Sequence, residues 1–181
     1  MIQTDPDFQR ARAFATRAHA GQTRKGAAGE PYVHHVIEVA EILATHGAPR
    51  EAVLAAYLHD TVEDTDVTLD TLIAEFGEVV AAIVAEATDD KSQPKETRKA
   101  LQISHAVHRT EAAKQLKLAD KISNLRAIME SPPSNWPHAR RVEYVGWAGR
   151  VAVGLKGVNP ALDALFDSTY RAALTRLAAE A

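Results

Sequence analysis

Apolar residues along this chain recur at three- and four-residue intervals, the spacing that puts side chains on one face of an α-helix. Phe8, Ala11, Ala15 and Ala18 form such a face after Thr4-Asp5-Pro6, a helix start, and predict a first helix from about Asp7 to Ala20. Val36, Val39, Ala40 and Leu43 predict a second from Pro31 to about His46, closed by Gly47-Ala48-Pro49. The next, from about Arg50 to His59, is apolar on nearly every side and reads as the central buried helix. A short helix from Thr68 to Glu75 and an apolar one over Val79–Val84 follow, separated by Gly77. The polar, proline-broken run Thr88–Lys95 predicts a surface loop, with Arg98 opening the helix after it. Leu118, Ile122, Leu125 and Met129 stripe a long helix from about Glu111 to Met129. Helices from about Trp136 to Lys156 and Asn159 to Ala179 complete the chain, divided by Gly157. No run alternates with period two and no segment repeats, so an all-α, single-domain fold is predicted.

The pattern breaks where chemistry can enter. In Leu58-His59-Asp60-Thr61-Val62-Glu63-Asp64-Thr65 an apolar helix end gives way to four polar groups, which would be costly to bury without partners. At a helix end His59 and Asp60 can converge on one ion, and Glu63 and Asp64 lie one turn on, four residues after their counterparts. The plainer reading is a helix that happens to end in His-Asp, with Glu63 and Asp64 solvated. His34 and His35 fall in the opening turn of the second predicted helix, and spacing prefers neither as a further ligand. Asp120 shares a face with Asn124 at i, i+4 and is either a fourth ligand or a surface carboxylate paired with Lys117 or Arg126. The glycine-rich loop Gly21–Pro31 carries Arg24 and Lys25, either phosphate contacts or a solvated basic turn. Lys91 and Lys95 sit on the second polar loop, where functional basic residues commonly lie. Tyr144 and Trp147, a helical step apart, either stack on a base or close the core, the core being the better reading of Trp147.

Composition narrows the chemistry. The 181 residues, 46% hydrophobic and 25% charged, suit one globular domain with a full core. A net charge of -3 gives no basic surface for nonspecific nucleic-acid binding, so neither DNA nor RNA is an expected partner. Without cysteine, disulfides, thiolate zinc sites and thiol nucleophiles are excluded, and any metal must use His and carboxylates. No basic-then-apolar leader opens the sequence and no apolar run approaches a membrane span, so a cytoplasmic location is expected.

In order along the chain, His35, His59-Asp60 and Asp120 form the H…HD…D pattern of the HD phosphohydrolase superfamily. The string His19-Ala20-Gly21-Gln22-Thr23-Arg24-Lys25, then Gly29-Glu30-Pro31-Tyr32-Val33-His34-His35 and Leu58–Thr65, resembles the hydrolase domain of RelA/SpoT proteins. So do Phe76-Gly77, Thr88-Asp89-Asp90-Lys91 and Lys117-Leu118-Ala119-Asp120-Lys121 with Asn124-Leu125-Arg126. Pro94-Lys95, the Trp136 region, Glu143-Tyr144, Trp147 and Gly154-Leu155-Lys156-Gly157 are similar to the stand-alone small alarmone hydrolases, the SpoT-homologue type, over roughly Phe8 to Leu165. The long bifunctional members add a synthetase domain, and none is expected in these 181 residues.

The resemblance implies an HD-domain helical bundle in which His35, His59, Asp60 and Asp120 bind one metal per chain, usually manganese; the mixed donor set suits zinc or iron as well. It implies that Glu63 and Asp64 position and deprotonate the attacking water, that Arg24, Lys25, Lys95 and Asn124 hold phosphate and ribose, and that Tyr144 contacts the nucleotide. The implied reaction is hydrolysis of guanosine tetra- or pentaphosphate (ppGpp, pppGpp) at the 3′ position, giving GDP or GTP and pyrophosphate. Alternatives within reach of the same centre are a ppApp-type alarmone or the 2′-phosphate of NADPH, and a non-catalytic alarmone sensor. Oligomeric state is left open. Val36 stands where a proline commonly follows the ligand histidine, which should alter the helix start and not the ligand. Ser123 stands where an aromatic or histidine is common, which puts a nucleoside contact in question. His34 is read as a neighbour of the ligand.

Overall fold

A computed structural model describes residues 4–26 and 28–180. Its order is α1 (Pro6–Ala18), α2 (Val33–Thr45), α3 (Arg50–Leu58), α4 (Thr61–Asp64), α5 (Leu69–Phe76), α6 (Glu78–Ala87), α7 (Lys95–Ala106), α8 (Glu111–Glu130), α9 (His138–Leu155) and α10 (Pro160–Ala178). The helices start where the chain supplies caps. Asp5 accepts from the amides of Asp7 and Phe8, with Pro6 in the first turn, and Asn159 accepts from Leu162 N–H ahead of Pro160. Thr68 and Thr110 do the same for α5 and α8. No helix among the described residues is long and apolar enough to cross a membrane.

Prolines move three of the predicted starts. Pro31 forms an isolated bridge with Thr23, so α2 begins at Val33 instead of Pro31. Pro94 and Pro137 stand as N-caps, so α7 begins at Lys95 and not at Arg98, and α9 begins at His138 and not at Trp136. Lys95 therefore projects from a helix's first turn, a firmer mount than the loop the sequence suggested.

Both α3 and α8 are buried, but α8 is the hub. Residues Ala52 to Leu58 of α3 are all buried, as its apolar sequence predicted. α8 packs against α10, α2, α9, α3 and α6 and buries almost its whole middle, Gln115 to Ser123. Leu116, Leu118, Ile122 and Leu125 fill the core, each at 1% exposure or less. Each such side chain contributes about 1.5–3 kcal/mol of burial. Lys117, Asp120, Lys121 and Ser123 are buried on the same helix, so its polar face turns inward and has to be satisfied there.

The loop between α1 and α2 folds back on itself and docks. Arg24 N–H donates to Glu30 O at 2.8 Å and Tyr32 N–H to Gln22 O at 2.9 Å, while Gly26 bridges Pro133 beyond the end of α8. A Cβ on Gly26 would lie 2.4 Å from the Ser131 carbonyl oxygen, so only glycine permits this approach. Gly26→Ala should therefore open the loop at about the low end of an overpacking cost, ~1 kcal/mol, and expose Arg24 and Lys25 roughly fivefold more often. Limited trypsinolysis should cut the variant there correspondingly faster with the melting temperature little changed; equal cleavage rates would mean that the 131–133 segment gives way instead.

Candidate metal centre and adjoining cavities

The polar strip sits at a real break in the helix. α3 ends at Leu58 and α4 begins at Thr61, leaving His59 and Asp60 as the joint. The carbonyls freed at the helix end find side-chain donors: His59 Nδ1 donates to Ala56 O at 2.8 Å and Thr61 Oγ1 to Leu58 O at 2.7 Å. An uninterrupted helix would send His59 and Asp60 about 100° apart. The break turns both toward the same point, which His35 reaches from α2 and Asp120 from α8. His59 Nε2 lies 3.2 Å from Asp60 Oδ2 and 3.9 Å from Asp120 Oδ1. His35 Nε2 lies 3.6 Å and 3.2 Å from the same two oxygens. Donor atoms of His35, His59 and Asp120 all fall within 4.8 Å of one another. His34, by contrast, is exposed.

The residues fit a divalent cation. His59 Nε2 is buried without a hydrogen-bond partner, while its other nitrogen is committed to a carbonyl that can only accept. The free lone pair therefore faces the carboxylates. Burial works against a charged His59 ring, yet Asp60 and Asp120 outweigh it and push the imidazole up to about 9. Burial would likewise raise the Asp60 carboxyl, but the His59 and His35 rings hold it well below the usual range. The centre thus favours positive charge at its middle, which is the electrostatic requirement a metal ion meets.

A second layer of groups orients the donors. Tyr32 O–H donates to Asp60 Oδ2 at 2.5 Å; burial and that carboxylate raise the phenol far above its ordinary value, so it stays a donor. Lys121 Nζ lies 3.0 Å from Asp120 Oδ2, and Asn124 Nδ2 donates to Asp120 Oδ1 at 2.7 Å. Asp120 therefore pairs with Lys121 and with neither Lys117 nor Arg126. Lys117 Nζ instead donates to Ala87 O at 2.9 Å and anchors the end of α6.

Glu63 and Asp64, consecutive on α4, diverge. Glu63 accepts from Asp89 N–H at 3.0 Å, with Arg98 3.9 Å away, and burial raises its carboxyl above the ordinary value. Asp64 is paired with Lys91 at the rim, while its backbone carbonyl accepts from Gln22 Nε2 at 2.9 Å. Two cavities adjoin. One, of about 230 Å³, collects Arg24, Lys25, Tyr32, Asn124, Trp136 and Tyr144. The other, of about 320 Å³, collects Lys25, Lys95, Arg98, Lys99, Arg140 and Tyr144. All five residues singled out as substrate contacts thus line one or both. Asn124 also braces its neighbours, since its Oδ1 accepts from Arg24 Nη2 at 3.1 Å.

The chain is similar to known proteins. The family model described as HD domain matches residues 11–145. The chain belongs to the HD-domain family. Among HD-domain relatives, human guanosine-3′,5′-bis(diphosphate) 3′-pyrophosphohydrolase MESH1 is 46% identical over 160 residues, covering 87% of this chain and 89% of that one. The Drosophila melanogaster enzyme of the same name is 40% identical over 166 residues, covering 91% and 93%. A solved structure described as a metazoan orthologue of SpoT that hydrolyses ppGpp superposes with a TM-score of 0.89 at 39% identity, over 93% of this chain and 96% of that chain.

Several members of this HD site were not singled out from sequence. Tyr32 and Asp89 lay inside recognised strings but carried no spacing signal of their own. Trp136 was read as a helix start and as part of a recognised stretch, and it lines both cavities. Trp147 is core, 5% exposed, with its Nε1–H donated to Lys99 O at 3.0 Å. Ser123, expected to bear on nucleoside contact, is fully buried and hydrogen-bonded to His35 and Glu38, away from both cavities. A small hydroxyl at that position makes a helix-to-helix bond where a larger side chain would have to point elsewhere.

A divalent cation that the centre holds, supplied at about a hundred times its dissociation constant, should stabilise the wild-type chain by about 2.7 kcal/mol. Asp60→Asn should lose that rise, and at neutral pH its metal-free form should melt lower than wild type, because the carboxylate that the His59 and His35 rings stabilise is gone. A metal-induced shift that survives in Asp60→Asn would remove Asp60 from the ligand set.

Proposed function

We propose that the chain hydrolyses guanosine 3′,5′-bis(diphosphate) at its 3′ position, giving GDP and pyrophosphate, and GTP from the pentaphosphate. The observation that carries this reading is the 46% identity to the human 3′-pyrophosphohydrolase over 89% of its length. The four-donor centre beside a cation-lined cavity is the chemistry such a substrate needs.

His35, His59, Asp60 and Asp120 would hold one divalent ion, with Mn²⁺ the first choice for a set of two imidazoles and two carboxylates. Once bound, such an ion supplies Lewis acidity toward a phosphoryl oxygen and lowers the pKa of water. The rest falls to the chain. Water attacks the phosphorus joined to the ribose 3′ oxygen, the bond between them breaks, the pyrophosphoryl group departs with the water oxygen, and the 3′ oxygen takes a proton from solvent to become a hydroxyl. Glu63, inward-facing and with a raised pKa, accepts the water proton; a base nearer the working pH takes protons more effectively. Asp64 acts beside it from the rim, where Lys91 holds it. Arg24, Lys25 and Lys95 offset the charge on the phosphates through charge-assisted hydrogen bonds. Asn124 orients Arg24 and reaches the ribose, and Tyr144, shared by the two cavities, stacks on the nucleoside.

Incubation with guanosine tetraphosphate and Mn²⁺ should yield GDP and pyrophosphate in equal amounts on anion-exchange chromatography. Glu63→Gln should bind Mn²⁺ normally and lose about 10²–10⁴ of the rate, and Asp64→Asn should lose less. Intact nucleotide that still binds would point to a sensor, and nucleotide that neither binds nor is cleaved would point to another substrate of the HD repertoire. Because Glu63 must be ionised to act and burial raises its pKa, the acid limb of kcat should lie above the ordinary carboxylate range. An acid limb that persists unchanged in Glu63→Gln would exclude Glu63 as the base.

A further inference from the structure

Each donor at the metal centre is backed by another group, and the one behind His35 is built differently from the rest. His35 lies on α2 with Glu38 three residues on, and Asp120 lies on α8 with Ser123 three residues on, so each pair shares a helix face. The two downstream residues meet where α2 packs on α8. Ser123 Oγ donates to Glu38 Oε2 at 2.6 Å and lies 2.9 Å from His35 Nδ1. Arg126 Nη1 donates to the other carboxylate oxygen, Glu38 Oε1, at 2.9 Å. Ser123 is fully buried, whereas the Glu38 and Arg126 side chains are each 34% exposed and face a groove of about 640 Å³. The chain of contacts therefore runs from a solvent-facing ion pair, through a buried hydroxyl, to a ligand histidine.

Counting protons fixes the direction of these bonds. A serine hydroxyl has one hydrogen, and a carboxylate only accepts. That hydrogen is committed to Glu38, so Oγ can only accept from the ring and the His35 proton must sit on Nδ1. The lone pair then falls on Nε2, the nitrogen that faces Asp60 and Asp120. A serine alone would not choose, because a free hydroxyl donates as readily as it accepts. At His59 the backbone carbonyl of Ala56 makes the same choice with no side chain involved.

We propose that Glu38 and Ser123 are positioning residues of the metal centre: the pair, clamped by Arg126, fixes His35 as the Nδ1–H tautomer and presents Nε2 to a divalent cation. The inference rests on the metal reading of the centre and is independent of which nucleotide is cleaved. Its consequence is that metal affinity depends on a hydrogen bond lying behind the ligand histidine, away from the substrate cavities.

The test pairs two measurements on the full chain. ¹⁵N spectra of histidine-labelled, metal-free protein, recorded at alkaline pH where the rings are neutral, report the tautomer of each ring. Competition with a fluorescent chelator reports Mn²⁺ affinity. Ser123→Ala should convert His35 from one tautomer to a mixture, leave His59 unchanged as an internal control, and weaken Mn²⁺ binding about 10–100-fold. Glu38→Ala, at a half-exposed position that does not threaten the core, should shift the tautomer the same way with a smaller loss, because the hydroxyl remains. Circular dichroism verifies the helical fold of both. An unchanged tautomer in Ser123→Ala overturns the proposal, even if affinity falls, since the loss then comes from packing. Unchanged affinity overturns it as well. Failure of the unsubstituted chain to bind Mn²⁺ defeats the metal reading itself, a result distinct from the tautomer measurement.

Discussion

Two carboxylates, Asp60 and Asp120, are held within reach of the same two imidazoles in the interior of the protein, and that placement governs much of what surrounds it. Charges taken out of water are costly unless other groups replace the lost hydration. Here Tyr32 donates to one carboxylate, and Lys121 and Asn124 to the other. A cation between the rings satisfies the remainder, including the His59 nitrogen that has no partner in the protein. The helix at the centre of the fold accordingly carries lysine, aspartate and serine in its buried middle, where packing alone would have favoured leucine.

The same economy explains the layout of charge. The chain as a whole is mildly acidic, at -3, which does not suit a multiply phosphorylated ligand. Asp60 and Asp120, however, face a centre suited to a cation, while Lys25, Lys95, Arg98, Lys99 and Arg140 outnumber Asp89 and Glu143 around one adjoining cavity. Net charge governs the far field, and a local cluster governs the last few ångströms, within about one Debye length of ~8–10 Å. The docked loop that delivers Lys25 and Arg24 depends on backbone approach at Gly26, and Asn124 ties Arg24 directly to Asp120. The basic loop and the carboxylate centre are thus mechanically one unit.

Much of this was legible in the sequence, for reasons that differ between residues. Helical periodicity survives in any amphipathic segment, so the all-α fold and most helix positions could be read directly. Starts shifted where proline decided them, because Pro31 belongs to a bridge and Pro94 and Pro137 stand as caps. The dominance of α8 was hidden: its stripe of Leu118, Ile122, Leu125 and Met129 marks one core face, but not that Lys117, Asp120, Lys121 and Ser123 are buried and satisfied internally as well. His35 and His34 are equivalent by spacing, and burial of one against exposure of the other is a tertiary fact. Glu38 looked like any glutamate on the polar side of an amphipathic helix. Its bond to Ser123 spans 85 residues, and no local pattern encodes such a contact.

Glu63 and Asp64 show that neighbours in sequence can meet different surroundings in the fold. In sequence they form a single acidic pair, and similar roles follow naturally. On α4 they point differently, Glu63 inward onto the Asp89 amide and Asp64 outward onto Lys91. An acceptor of water protons must be near the reacting centre, unpaired with a permanent cation, and no weaker a base than its task requires. Asp64 has to release Lys91 before it can accept a proton. Glu63 is held by a backbone amide that leaves its second oxygen free of a close partner, with Arg98 only at 3.9 Å. Burial raises its basicity, and Lys117 and Gln102 anchor the α6 end and the Asp89 side chain that hold it in place. The asymmetry makes Glu63 the better placed of the two to take a proton and keeps Asp64 engaged with Lys91.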